Sequence, residues 1–107
     1  MVSLGLDPAK GLLFYSSDMG QEIKVITLSE SVPARVDKVM DSGEIRLIVL
    51  SVTSVNGFPY NIPFYDWFLD SEKIKYDSEK TAYKWEEKIN KAILDRASTR
   101  ISPYSIY

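Results

Sequence analysis

The sequence predicts a mainly β fold of the α+β class: a small antiparallel barrel or meander, then one C-terminal amphipathic helix, with extended arms at both ends. Three observations carry this. Residues 32–64 alternate apolar and polar side chains and are punctuated by two turn signals, Asp41-Ser42-Gly43-Glu44 and Asn56-Gly57. Residues 78–97 repeat apolar side chains at i, i+3 and i+4. Short aromatic clusters near the two ends, broken by Gly and Pro, fit neither pattern. The 107 residues are expected to form a single domain. Within it, 1–20 is an N-terminal arm or edge strand, 22–66 the barrel, 78–97 the helix and 98–107 a C-terminal arm.

Residues 1–20 contain Gly5, Gly11, Gly20 and the cluster Leu12-Leu13-Phe14-Tyr15. Glycine at that density disfavours a long helix, so the cluster reads as a short strand at the sheet edge or as an arm laid on a neighbouring molecule. Glu22 to Leu28 reads as a strand, with Ile23, Val25 and Thr27 on one face and Lys24, Ile26 and Leu28 on the other.

The meander opens with Val32, Ala34 and Val36 alternating, and Lys38-Val39 interrupts the pattern in the manner of a bulge. Gly43 offers a positive φ to the first turn. Ile45 to Val55 carries apolar residues on both faces, as a central strand or one inside a small barrel does. Asn56-Gly57 signals a tight type I′ hairpin. The strand after it, with Phe58, Tyr60, Ile62 and Phe64 in alternation, contains Pro59 and Pro63 and therefore belongs at an edge.

Tyr65 to Leu69 is a dense aromatic corner. Beyond it, Asp70-Ser71-Glu72-Lys73 is echoed by Asp77-Ser78-Glu79-Lys80, each resembling a helix start. The reading is a short turn followed by a helix from about Ser78 to Ala97. Ala82, Trp85, Ile89, Ala92, Ile93 and Ala97 form its apolar stripe, and a lysine stripe (Lys80, Lys84, Lys88, Lys91) reads as a solvated face. Residues 98–107, with Pro103 and Tyr104, Ile106 and Tyr107, read as an arm or a last strand.

Composition narrows the chemistry. The chain has no histidine and no cysteine, which removes the commonest general base, the commonest zinc ligands and all thiolate chemistry. A serine nucleophile would have only lysine to activate it. Asp37, Asp41 and Glu44 cluster at one turn and are read as turn and solubility residues. No P-loop, dinucleotide or EF-hand pattern occurs, so no catalytic residue, metal site or cofactor is predicted, and the protein reads as a non-enzyme. No apolar run reaches the roughly 18 residues of a membrane span. The N-terminus has no basic region before its apolar part, so cytoplasmic synthesis is expected. Net charge is −2, without the basic footprint that nucleic acid demands. Tyr60, Phe64, Tyr65 and Trp67 beside Arg35, Lys38 and Arg46 still sketch a stacking platform for a nucleic-acid strand.

The remaining signal is aromatic excess outside the core patterns. Aromatic side chains are enriched where protein surfaces meet. The expected interface comprises Leu12, Leu13, Phe14, Tyr15, Tyr65, Trp67, Phe68, Tyr104, Ile106 and Tyr107.

Pro33-Ala34-Arg35-Val36, the acidic turn Asp41 to Glu44, the apolar run Ile45-Arg46-Leu47-Ile48-Val49 and Gly57 together resemble the pattern of small SH3-like β-barrel proteins of tailed bacteriophages. The chain departs from that pattern in its long C-terminal helix and terminal arms. The resemblance implies an SH3-like barrel, no catalytic residues, and a phage accessory or virion component. With the apolar aromatic arms at both ends and the absence of catalytic residue types, the expected function is a non-enzymatic decoration, neck or adaptor subunit that assembles through those arms with itself or with other virion proteins. A small inhibitor of a host or defence protein, and a nucleic-acid-binding barrel, are the alternative readings.

Overall fold

A computed structural model describes residues 3–16, 22–68 and 70–105, with residues 72 and 98–105 as backbone alone. The fold is mainly β: two three-stranded antiparallel sheets and one C-terminal helix. The first sheet holds β1 (Ser3–Asp7), β2 (Leu12–Ser16) and β3 (Ile23–Thr27) in that order. The second holds β4 (Arg35–Asp41), β5 (Glu44–Thr53) and β6 (Pro59–Asp66). A 3₁₀ turn at Glu72–Ile74 leads into α1 (Lys75–Ser105).

The sheets do not close into a single barrel, so the strand at 22–28 does not join the meander as expected. Β3 pairs along its length with β2, leaving only its last residues for the second sheet. There a single bridge, Leu28 to Ser54, is flanked by hydrogen bonds from Ser29 N–H to Thr53 O and from Val55 N–H to Thr27 O. Residues 3–16 are likewise no arm. Asp7 accepts from the Lys10 N–H, Gly11 turns at φ 66°, and the chain folds back as a hairpin. Β2 is the middle strand of its sheet rather than an edge.

The two turns of the meander exchange roles relative to expectation. Ser42 and Gly43 both have positive φ, 52° and 81°, the type I′ arrangement that joins β4 to β5 with no residue wasted. At Asn56-Gly57 only Gly57 is positive. The Gly57 N–H bonds back to Ser54 O, and the Ser54 hydroxyl contacts both Asn56 and the Phe58 N–H, giving a wider loop. The bulge falls at Val39/Met40, one residue beyond the break in alternation.

The inner faces of the two sheets and one stripe of α1 share a core. Leu13 and Ile26 from the first sheet meet Leu50, Val52 and Ile62 from the second and Ile89 and Ile93 from the helix. Β5 is fully buried on the face of Ile48, Leu50 and Val52 but only half-buried on the face of Leu47 and Val49, so it is less enclosed than its two apolar faces predict. The helix stripe is as expected, with Ala82, Ile89, Ala92 and Ile93 buried. The helix itself is longer at both ends than the expected 78–97. Its backbone runs to Ser105, so the C-terminal arm is helical up to there, because residues 98–102 contain no Gly or Pro to stop it. Pro103, in the last turns, costs one backbone bond.

Beside the apolar stripe, α1 carries polar side chains that pair with the outer edge of β4. Glu79 Oε2 lies 2.7 Å from Lys38 Nζ. Glu86 Oε2 accepts from the Val36 N–H at 2.8 Å. Asn90 accepts from the Ala34 N–H at 2.7 Å and donates to Ala34 O at 3.0 Å. The spacing is geometric: four helical residues rise about 6 Å and two strand residues advance about 6.8 Å. One helical turn therefore keeps step with alternate edge amides. The Glu79 carboxylate, with the Tyr83 hydroxyl after it, raises the Lys38 ammonium above its ordinary pKa. That pair's contribution is therefore complete at neutral pH and lost as pH rises through the raised value.

Farther along, Arg96 donates to Ala9 O at 2.7 Å and approaches Glu30 at 3.5 Å, passing directly over Gly11. A Cβ on Gly11 would lie 2.5 Å from Arg96 Nε.

Two predictions follow from these contacts. Asn90→Ala strands the Ala34 N–H and C=O, and is expected to cost about 1–3 kcal/mol in chemical denaturation. Gly11→Ala meets both an unfavourable φ and the Arg96 side chain, and is expected to cost more than about 1 kcal/mol. A double-mutant cycle with Arg96→Ala should recover part of that loss. Additive losses would show that Arg96 does not rest on Gly11.

Candidate protein interface

The corner after β6 is built by short-range hydrogen bonds. The Asp66 N–H donates to Asp70 Oδ2 at 2.8 Å, and the Asp70 N–H returns to Asp66 O at 2.8 Å. Asp66 Oδ1 accepts from the Phe68 N–H at 2.9 Å, an Asx turn. The Trp67 N–H reaches across to Arg46 O at 2.9 Å, tying the corner to β5. On this frame the Trp67 and Phe68 rings meet edge to face at 4.7 Å, and the Arg46 guanidinium lies 4.2 Å over the indole. Phe68 is 85% exposed and Trp67 44%. Because the backbone there is already constrained, contact at this side chain costs little further backbone ordering.

A second apolar surface is the outer face of the first sheet. The register places Leu12, Phe14 and Ser16 beside Thr27, Val25 and Ile23. Ile23 and Val25 are 64% and 55% exposed, and Phe14 36%. Gly5 lies beneath the Phe14 ring, at the position where a side chain would cover it.

The expected interface residues divide accordingly. Trp67 and Phe68 form the corner, and Leu12 and Phe14 belong to the outer sheet face. Leu13 and Tyr65 are corrections: both are essentially inaccessible and sit in the core, Leu13 because strand alternation turns it inward, and Tyr65 because the register shift at Ile48/Val49 skips Phe64 and turns the next side chain in beside Ile48. Tyr15 is half-buried and packs against the same core. Tyr104 lies in the helical backbone, with its side chain outside the described atoms, and Ile106 and Tyr107 lie outside the described residues. Ile23 and Val25 were missing from the expected set, although their shared strand face was visible in the alternation.

The sketched nucleic-acid platform does not assemble. Tyr65 is buried, and Tyr60 and Phe64 pack against the core. Each of its cations has a carboxylate partner: Arg35 with Asp37 at 3.0 Å, Lys38 with Glu79, and Arg46 with Asp41 at 3.7 Å. Among the described residues no group of three or more acidic side chains converges as a metal site would require, and no helix is long and apolar enough to cross a membrane. Comparison of the chain with protein-family models, curated proteins and solved structures returned no match.

The Tyr65 hydroxyl is buried without a hydrogen-bond partner among the described residues. Tyr65→Phe is therefore expected to leave stability unchanged or raise it by about 1 kcal/mol. Phe68→Ser is expected to stay within about 0.5 kcal/mol of the parent protein, as exposed substitutions do. Thermal unfolding of both variants checks the assignment of one ring to the core and the other to the surface.

Proposed function

We propose that this chain is a non-enzymatic structural or interaction protein, a bacteriophage virion subunit of the decoration, neck or adaptor kind that docks on other virion proteins. The observation that carries the reading is Phe68, held out beside Trp67 on a turn braced by its own hydrogen bonds. The outer face of Phe14, Ile23 and Val25 adds a second apolar contact surface. Sequence elements shared with phage SH3-like barrels, Pro33-Ala34-Arg35-Val36 and the Asp41 to Glu44 turn, support the virion assignment and the kinship with that barrel family. The docking surface is preformed rather than an arm that folds on contact, which limits the ordering entropy of assembly.

A second reading, an inhibitor of one host or defence protein, uses the same corner. It is favoured by the compactness of the Trp67–Phe68 pair, which suits a single small pocket.

Mass spectrometry of purified particles from the source separates the two. The virion reading expects this chain in the particles. It also expects Phe68→Ser to reduce incorporation by about 30-fold, the scale of a hot-spot aromatic. Particles that lack the chain, together with a one-to-one complex with a single host protein, would establish the inhibitor instead.

A further inference from the structure

The sheets leave edges whose backbone groups need partners, and three of them are guarded. The β4 edge is occupied by Glu86 and Asn90 of the helix. Β6 carries Pro59 and Pro63, which have no N–H to offer. The β3 edge is blocked at Thr27, whose carbonyl takes the Val55 N–H, and symmetric pairing of its free part would set Lys24 against Lys24. Between Ser3 and Asp7, β1 has none of these devices: no proline, no lysine and no bulge.

Register shows which β1 groups face outward. The Leu28 N–H bonds to Gly11 O, so on β2 the amides of residues 11, 13 and 15 face β3 and those of 12, 14 and 16 face β1. Their partners Asp7, Gly5 and Ser3 point into the sheet, leaving the N–H and C=O groups of Leu4 and Leu6 on the open edge.

We propose that β1 pairs antiparallel with β1 of a second copy of this chain, giving a two-fold dimer with one continuous six-stranded sheet. The outward groups fix the register: Leu4 opposite the partner's Leu6, Gly5 opposite the partner's Gly5, and Ser3 opposite the partner's Asp7. The two Leu4–Leu6 pairs each exchange both backbone hydrogen bonds. The Leu4 and Leu6 side chains, half-buried against the core, are covered on their remaining surface. Charge supports the same occupant. The only ionised side chain of β1 is Asp7, and in this register it meets a serine hydroxyl rather than another carboxylate. Glycine faces glycine on the two-fold axis, where backbones approach most closely. The inference goes beyond the proposed function and rests on the sheet edges alone.

Sedimentation of the full chain from micromolar to millimolar concentration tests it, with far-UV circular dichroism and melting to confirm the fold. The parent chain is expected to dimerise. Ser3→Asp sets carboxylate against carboxylate twice per dimer and should raise the dissociation constant about 2- to 30-fold. Ser3→Lys should lower it, because each lysine meets Asp7. A purely structural role for Ser3 would not give opposite signs. Leu4→Pro removes an outward N–H while sparing the Gly5–Phe14 pairing, and should abolish the dimer. If that variant fails to fold, the Ser3 pair alone decides. A folded chain that stays monomeric at millimolar concentration overturns the proposal, as does a dimer indifferent to both Ser3 variants. A monomer that still enters particles would overturn the dimer and leave the proposed function standing.

Discussion

The structure depends on the contact between α1 and the edge of β4. Two independent needs are met along one line. The helix must bury Ala82, Ile89 and Ile93, and the strand must find partners for the outward N–H groups of Ala34 and Val36. Glu86 and Asn90 flank the apolar stripe, so the rotation that buries the stripe also delivers their oxygens to the strand. Buried apolar area alone would tolerate some sliding of the helix. The directional bonds from Glu86 and Asn90 do not, and they set its position along β4.

That placement has consequences at a distance. With α1 fixed, Arg96 reaches the first hairpin, where it holds Ala9 O and covers Gly11. Among the described residues, the only backbone links between the first sheet and the second are the Leu28–Ser54 bridge and its flanking bonds. Its position therefore relies on Leu13 and Ile26 in the shared core and on this arginine from the helix. The helix thus acts as a spine that holds two small sheets, neither of which would bury enough apolar surface alone.

The exposed apolar groups lie away from that spine. The Trp67–Phe68 corner is stiffened by carboxylates accepting from backbone amides, an arrangement that spends polar groups on holding an aromatic ring in water. The proposed docking role gives such an arrangement a reason. The unguarded β1 edge contrasts in the same way with three edges protected by proline, helix or hairpin tip. On the proposed reading, the interacting surfaces lie on the first sheet and the β6 corner, while the second sheet and helix serve as the scaffold.

The amino-acid sequence by itself determined what depends on near neighbours: the strand alternation of residues 32–64, the positions of both glycine turns though not their types, the edge character imposed by Pro59 and Pro63, the helix stripe from Ala82 to Ala97, and the aromatic corner as a place of interest. What it could not determine was partnership. Nothing local tells β3 to pair with β2 instead of joining the meander, or tells Asn90 to seek Ala34, 56 positions away. The same limit governs the interface. Leu13 and Phe14 are adjacent and equally apolar, yet one lies in the core and the other at the surface. Alternation divides them into two faces, but only the packing of the second sheet and the helix decides which face is covered.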